Sequence, residues 1–189
     1  FIVVVIPFFY GIYYSFTDWN GVSEAVLVGF SNYSKLLKDQ EFWTSIWFTT
    51  KFAFVAIILI NAIGLGLALL VTNKFKGANL LRTIFFMPNL IGGLILGFIW
   101  QFIFINAFSA IGDVLNSTGL KTWLSTPETG FWAMVIVMCW QMSGYVMVIY
   151  ISYLQSVDDA LLEASDLDGA SAFQKFWHVK FPLIMPGFT

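Results

Sequence analysis

Four long stretches of this 189-residue chain contain no Lys, Arg, Asp or Glu: 1–17, 52–73, 83–112 and 129–157. A helix that crosses a bilayer needs about 20 predominantly apolar residues, because a charged side chain is costly to place in hydrocarbon. The segments between these stretches carry every charge, and 59% of the chain is hydrophobic. The pattern predicts an all-α polytopic membrane protein, 1–189 forming one transmembrane domain, with spans at about 1–17, 50–73, 83–106 and 131–156.

The basic residues predict the orientation of these spans. Lys74, Lys76 and Arg82 follow the second stretch with no acid between them, which favours a cytoplasmic position. Two further crossings return the chain to the same side, so the region around Glu163 is also predicted to be cytoplasmic. The first stretch could instead be the core of a signal peptide, but no small-x-small cleavage pattern follows it, and a transmembrane helix is favoured.

The segment 157–186 mixes charge, glycine and aromatic residues directly after an apolar stretch. Ser156 and Asp159 have the spacing of a capping box, which predicts a helix start. Gly169 is expected to end that helix, because glycine readily adopts the left-handed conformation of a helix end.

A second helix is predicted to open at Ala170-Ser171. Its aromatic residues Phe173, Phe176 and Trp177 recur at helical spacing and would share one face. Pro182 is expected to end this helix, because proline lacks an amide hydrogen. From spacing alone, an amphipathic helix pair lying at the membrane surface is an equally good interpretation.

The order of residues in this segment is specific. Glu163-Ala164-Ser165 is followed by Asp168-Gly169-Ala170, then by aromatic-Gln-x-Phe and by a hydrophobic-Pro-x-x-x-Pro ending at Pro186. This order resembles the EAA loop of binding-protein-dependent ABC importer permeases, more narrowly the carbohydrate-uptake branch typified by the maltose and glycerol-phosphate permeases. Ser165 stands where that family often has a second Ala of similar size. The resemblance implies a fragment with about four spans of a six-helix core, in which 157–186 is a cytoplasmic coupling helix pair.

The resemblance also implies partners. They are a second homologous permease subunit, two ATP-binding cassette ATPase subunits, an extracytoplasmic solute-binding protein and the lipid of a bacterial or archaeal cytoplasmic membrane, with no nucleic acid. The helix pair would dock into the ATPase through Glu163, Ala164, Asp168, Gly169, Phe173 and Phe176.

The fourth span carries neutral polar and aromatic residues near its middle. Hydrogen-bonding groups and ring faces suit a sugar, whose hydroxyls must exchange water for protein partners. These observations and the resemblance together predict a substrate path at Trp140, Gln141, Met142 and Tyr145. The alternative is that Gln141 and Tyr145 hydrogen-bond a neighbouring helix.

The remaining chemistry is limited. No ionisable Asp, Glu, Lys, Arg or His lies in the four stretches, which disfavours an ion-coupled carrier, and no G-x-x-x-x-G-K-[ST] loop for ATP occurs. A single Cys139 offers neither a disulfide framework nor a metal site. We therefore expect no catalytic residue, metal or cofactor. A permease for a polyol phosphate or another non-sugar solute, and an ATP-independent carrier, remain alternatives.

Overall fold

A computed structural model describes residues 2–72, 77–116, 118–121 and 123–188. Within these residues the regular structure is helical, apart from one isolated antiparallel bridge between Thr17 and Leu27. The all-α fold class is therefore confirmed. Lys74 and Lys76, on which the predicted orientation partly rests, lie outside the described residues.

The helices follow one another with short connections. In chain order they are α1 (Ile2–Ser15), α2 (Ser31–Lys38), α3 (Gln40–Thr72), α4 (Ala78–Phe86), α5 (Gly93–Phe102), α6 (Phe108–Val114), α7 (Thr118–Lys121), α8 (Pro127–Gln155), α9 (Asp159–Leu167), α10 (Ala172–Lys175) and α11 (Phe181–Ile184). Four tighter or wider turns complete the helical structure: 3-10 turns at Met87–Leu90 and Met185–Phe188, and π-helical turns at Ile103–Ala107 and Phe176–Lys180.

Three helical stretches in the described part of the chain are long and apolar enough to cross a membrane: Gln40–Thr72, Gly93–Val114 and Pro127–Gln155. The protein is thus polytopic, as predicted. The first predicted span corresponds to α1, which has 14 residues. At 1.5 Å per residue α1 is about 21 Å long, shorter than the hydrocarbon core of about 30 Å.

The third span differs from its predicted position of 83–106. Residues 83–86 belong to α4, and the turn Met87–Leu90 separates α4 from the long helix that begins at Gly93. Pro88 cannot donate a backbone hydrogen bond, and Gly92 takes an extended conformation (φ −61°, ψ 140°). Helix then continues through the π-helical turn to Val114, beyond the predicted end of the span at 106.

The described contacts group the chain into two compact units, Phe1–Lys51 and Phe52–Thr189. In the first unit, the amide of Asn32 donates to the carbonyl oxygens of Ser15 (3.1 Å) and Thr17 (2.7 Å), just where α1 ends. The Trp19 ring stacks on Tyr14 at 4.1 Å between centroids. The side chain at position 32 therefore satisfies the carbonyl of Ser15, the last residue of α1, and that of Thr17 just beyond it.

The second unit is built on α3 and α8. One buried cluster joins Ala56 and Ile60 of α3 to the first half of α8, and the other joins Ala68 and Val71 to its second half, including Met147. Because residue numbers rise together along both helices, α3 and α8 lie parallel. Parallel neighbours need a return crossing between them, which the long helix from Gly93 to Val114 can supply.

Glycines allow close approach at two points on α8. A Cβ built on Gly144 would lie 1.8 Å from the carbonyl oxygen of Phe85 in α4, and one on Gly64 of α3 would lie 2.8 Å from Cγ1 of Val146. Near the same junction, Arg82 of α4 donates to the carbonyl oxygen of Val71 at 3.1 Å. This places a positive charge on the C-terminal end of α3, where the helix dipole favours it.

Candidate functional site

The segment in which a helix pair is predicted contains a helical hairpin, α9 followed by α10, which we call the hairpin (Asp158–Lys175). Its first cap differs from the prediction: the carboxylate of Asp158, not the hydroxyl of Ser156, accepts the amide hydrogen of Ala160, at 2.9 Å. Ser156 instead donates to the carbonyl oxygen of Tyr153 at the end of α8 (2.8 Å). α8 ends at Gln155, three residues before Asp158. The Ser156 hydroxyl therefore bonds the end of α8, and Asp158 caps α9.

Gly169 forms the turn of the hairpin as predicted, with φ +73°. The amide of Ala170 donates to the carbonyl of Ser165 and that of Gly169 donates to the carbonyl of Asp166, both at 3.0 Å. These two bonds are those of a Schellman motif, which needs a left-handed residue at this position. The Asp168 side chain makes no hydrogen bond within the described residues, so backbone bonds rather than this carboxylate hold the turn.

The second helix opens with a capping box between Ser171 and Gln174 (2.8 and 3.3 Å). The predicted end at Pro182 is wrong, because the helical structure continues to Ile184. The π-helical turn Phe176–Lys180 precedes this proline. We attribute the continuation to that wider turn, which leaves room for the proline ring beside the carbonyl four residues earlier.

An ion pair closes the hairpin across its turn. Lys175 of α10 contacts Asp166 of α9, and the lysine side chain is only 19% exposed. Sequence reasoning missed this pair, because the two residues are far apart on the linear helical pattern and only the turn brings them together. Together with the caps, the pair gives the hairpin a defined shape.

The predicted coupling residues mostly lie on the surface. Glu163, Ala164, Asp168 and Gly169 are exposed, and Phe173 is 71% exposed. Leu167, which was not predicted, is 90% exposed. Phe176 is half-buried against Trp177 and Phe181, with ring centroids at 5.5 and 6.0 Å. Leu167 and Phe173 are therefore the most exposed large apolar side chains of the hairpin, while Phe176 packs inward.

Ser165 explains why a small residue is needed in the Glu-Ala-Ser sequence. Its side chain is buried (8% exposed), and its hydroxyl donates to the carbonyl oxygen of Leu162 at 2.7 Å. A larger side chain would displace α9 from the protein beneath it.

Of the four predicted path residues on α8, Trp140 alone lines a cavity beside this helix. This cavity has a volume of about 720 Å³ and lies between α3, α4, the Met87–Leu90 turn and α8, beside Pro88 and Ser143. Its lining is mostly apolar, and the Ser143 hydroxyl is already bonded to the carbonyl oxygen of Cys139 at 2.5 Å. Trp140 also meets Trp100 of α5 edge to face, at 5.5 Å between centroids.

Gln141 and Tyr145 lie on a different face of α8 from Trp140, since successive residues are about 100° apart around a helix. Within the described residues neither side chain makes a hydrogen bond to a neighbouring helix. Tyr150 of α8 does make such a bond, because its hydroxyl donates to the side-chain oxygen of Asn61 in α3. Gln141 and Tyr145 thus keep free hydrogen-bonding groups among the residues described.

Asn89 is a polar residue near the predicted path that sequence reasoning missed as a site residue. It lies in the Met87–Leu90 turn, and its amide nitrogen is 3.6 Å from the sulfur of Met142. The available signal was the sequence Pro88-Asn89 close to Gly92, because interrupted transmembrane helices place polar groups at membrane depth. No group of three His, Cys, Asp or Glu side chains that could hold a metal ion is found in the part of the chain that the structure describes.

Comparison with known families decides what kind of protein carries these features. The family described as "Binding-protein-dependent transport system inner membrane component" matches residues 60–189. The chain belongs to this family. The resemblance drawn from the Glu163 loop is confirmed, and the family is one of transport components rather than of enzymes. Membership also agrees with a multi-pass protein of the inner membrane.

Curated members of the transport family align along almost the whole chain. The "probable starch degradation products transport system permease protein AmyD" of Thermoanaerobacterium thermosulfurigenes is 57% identical over 188 residues, covering 100% of this chain and 64% of its own length. The "multiple sugar-binding transport system permease protein MsmF" of Streptococcus mutans is 32% identical and covers 97% and 64%, respectively. The chain thus spans less than two thirds of the length of these relatives.

A solved structure shares the fold of this family member. The crystal structure of a bacterial alginate ABC transporter, in complex with an alginate-bound periplasmic protein, aligns with a TM-score of 0.84. The alignment covers 100% of this chain and 64% of the other, at 18% identity. At that identity the likeness supports the all-α permease fold alone.

Proposed function

We propose that this chain is part of the permease subunit of an ABC importer that takes up a saccharide. The observation that carries the proposal is the 57% identity, along the full chain, to a permease named for transport of starch degradation products. Malto-oligosaccharides are the corresponding solute class. The names of the relatives do not favour the polyol-phosphate alternative.

The solute path is proposed to run beside the middle of α8. Gln141 and Tyr145 supply an amide and a hydroxyl without partners among the described residues, and an unpaired amide facing hydrocarbon would be costly. A water-filled path satisfies both groups and leaves them available to sugar hydroxyls. Trp140 and Met142 adjoin this face, and Asn89 adds a second amide from the interrupted helix.

The hairpin is proposed to be the contact with a cytoplasmic ATPase subunit. Its most exposed large apolar side chains are Leu167 and Phe173, and the exposed carboxylate of Glu163 lies one helical turn before Leu167. Such a combination of apolar anchors and a flanking charge is typical of protein interfaces. The ion pair between Asp166 and Lys175 reduces the entropy that would be lost on docking, because the hairpin is already ordered.

The working importer is proposed to contain this subunit, a second homologous permease, two ATPase subunits and an extracytoplasmic binding protein. The family description names dependence on a binding protein. No P-loop sequence occurs in this chain, so ATP hydrolysis is assigned to the partner subunits.

The test uses the full-length protein coexpressed with the products of neighbouring genes. Wild type is expected to retain an ATPase during purification, and a Glu163→Ala, Gly169→Pro variant is expected to lose it, because proline cannot adopt φ +73°. Glu128→Ala, which removes an exposed carboxylate at the other end of α8, is the matched control. Retention of the ATPase by the double variant, with transport intact, would rule out the hairpin as the coupling site.

The solute path is tested separately in proteoliposomes with radiolabelled maltose and maltotriose. Gln141→Leu is expected to lower uptake while the ATPase stays bound, whereas Gln155→Leu, at the exposed end of the same helix, is expected to transport normally. Equal uptake by both variants would remove Gln141 from the path.

A further inference from the structure

Tyr150 lies where α3, α8 and the Met185–Phe188 turn meet. The side chain is fully buried (0% exposed) in the second half of α8. Its hydroxyl donates to Asn61 of α3, and the amide nitrogen of Asn61 donates in turn to the carbonyl oxygen of Ile57 (2.8 Å). The second bond holds the Asn61 side chain with its oxygen toward Tyr150.

The ring of Tyr150 contacts the end of the segment that follows the hairpin. Phe188, in the Met185–Phe188 turn, lies 5.0 Å from the Tyr150 ring centroid. Gly187 beside it leaves no spare space, since an added Cβ would lie 2.8 Å from the Tyr153 ring and 3.4 Å from the Tyr150 ring. The Met185–Phe188 turn is therefore packed closely against α8.

A continuous row of aromatic rings leads from Phe188 to the surface of the hairpin. Successive centroid distances are 5.7 Å from Phe188 to Phe181, 4.7 Å to Trp177 and 6.1 Å to Phe173, which is exposed. Rings at these separations are in contact, and packed rings resist compression. Displacement of Phe173 is thus opposed by rings that end on Tyr150.

We infer that Tyr150 is a positioning residue that joins the hairpin to the two parallel helices of the second unit. Because Tyr150 packs against Phe188 and its hydroxyl bonds Asn61, a movement of Phe188 is transmitted to α3 as well as to α8. α8 carries Gln141 and Tyr145. Without the hydroxyl, the ring still packs on Phe188, but α3 is no longer tied to it. The consequence for transport rests on the proposed function, while the mechanical link itself does not.

The experiment measures the link directly in the full-length protein in lipid nanodiscs. Spin labels are placed at Leu167→Cys on the hairpin and at Ile57→Cys on α3, both exposed, in a Cys139→Ser background. Pulsed electron paramagnetic resonance is expected to give a wider distribution of the distance between the two labels for Tyr150→Phe than for wild type. Tyr153→Phe is the matched control, because its hydroxyl has no hydrogen-bond partner within the described residues. Equal widths for wild type and Tyr150→Phe would overturn the inference.

A double-mutant cycle with Asn61→Leu tests whether the two residues act as a pair. Tyr150→Phe combined with Asn61→Leu is expected to broaden the distribution no more than the worse single variant. Additive broadening would contradict the pairing.

Transport per ATP hydrolysed is the second readout, measured with maltotriose in proteoliposomes. A hydrogen bond between two helices in a membrane changes the equilibrium that it stabilises by about 3-fold or more. Tyr150→Phe is therefore expected to lower the transport per ATP hydrolysed about 3-fold or more, with ATPase activity retained. A ratio unchanged from wild type would overturn the role in coupling. Absence of transport by wild type, with the distance result intact, would instead refute the proposed function.

Discussion

Replacement of Gly144 by alanine tests the packing of α4 against α8. The added Cβ would lie 1.8 Å from the carbonyl oxygen of Phe85 and 3.0 Å from Cα of Phe86, and both are backbone atoms. Ordinary contact begins at 3.4 Å, so the two segments must separate by about 1.6 Å. Overpacking of a core costs about 1–3 kcal/mol. We expect about 3 kcal/mol here, since no flexible side chain can move aside.

Gly64 and Gly66, both in α3, provide a comparison with Gly144 of α8. A Cβ on Gly64 would meet a side-chain methyl of Val146 at 2.8 Å, so Gly64→Ala is expected to cost about 1 kcal/mol. Gly66 has nothing within 4 Å of its added Cβ, and Gly66→Ala should be neutral or stabilising by up to about 1 kcal/mol, because alanine is the better helix former.

The assay is the melting temperature of the full-length protein in detergent, followed by loss of the monodisperse peak after heating. Gly144→Ala is expected to melt roughly 5–10 °C below wild type, with Gly64→Ala between them and Gly66→Ala at or above wild type. A Gly144→Ala protein that melts with wild type would show that α4 does not approach α8 as closely as the structure indicates. An equal loss for Gly66→Ala would show that the loss is not due to this contact.

Three further predictions concern hydrogen bonds and the ion pair. Asp166→Asn and Lys175→Gln should each lower the stability of the hairpin by about 1 kcal/mol or less, measured by amide hydrogen exchange. The double variant should exchange no faster than the faster single variant, and additive increases in the exchange rate would contradict a direct pair. Ser171→Ala should cost about 1 kcal/mol and accelerate exchange in α10 alone, so an effect spread over α3 would point to global unfolding. Asn32→Ala removes two bonds to the end of α1, and limited proteolysis should cleave residues 18–30 faster; an unchanged cleavage rate would count against this role.

Much of the hairpin could be predicted from sequence because its signals are local. Gly169 ends α9 through a conformation that glycine adopts at little cost, and Ser171 caps α10 within the next few residues. The misplaced cap at Ser156 and the expected stop at Pro182 have one cause. Each local rule allows more than one outcome, and neighbouring structure selects between them: α8 ends just before Asp158, and a π-helical turn precedes the proline.

The candidate path was predictable only in part. The neutral polar residues of α8 stand out in an apolar stretch, so Gln141 and Tyr145 could be selected from sequence. Whether they bond a neighbouring helix could not, because that depends on the rotation of α8 against α3. The structure gives that bond to Tyr150, and it brings Asn89 to Met142 from a separate, interrupted helix.

The sequence by itself determined that this protein is helical and crosses a membrane, because the cost of burying charge depends on composition over about 20 residues and needs no partner. It also determined the transport family, through the order of small, charged and aromatic residues in one loop. Only the tertiary structure decided which helices touch. The parallel pairing of α3 with α8, the approach at Gly144 and the bond from Tyr150 to Asn61 depend on side-chain shape between residues far apart in the chain. Close packing is a property of the assembled helices, so no local pattern specifies it.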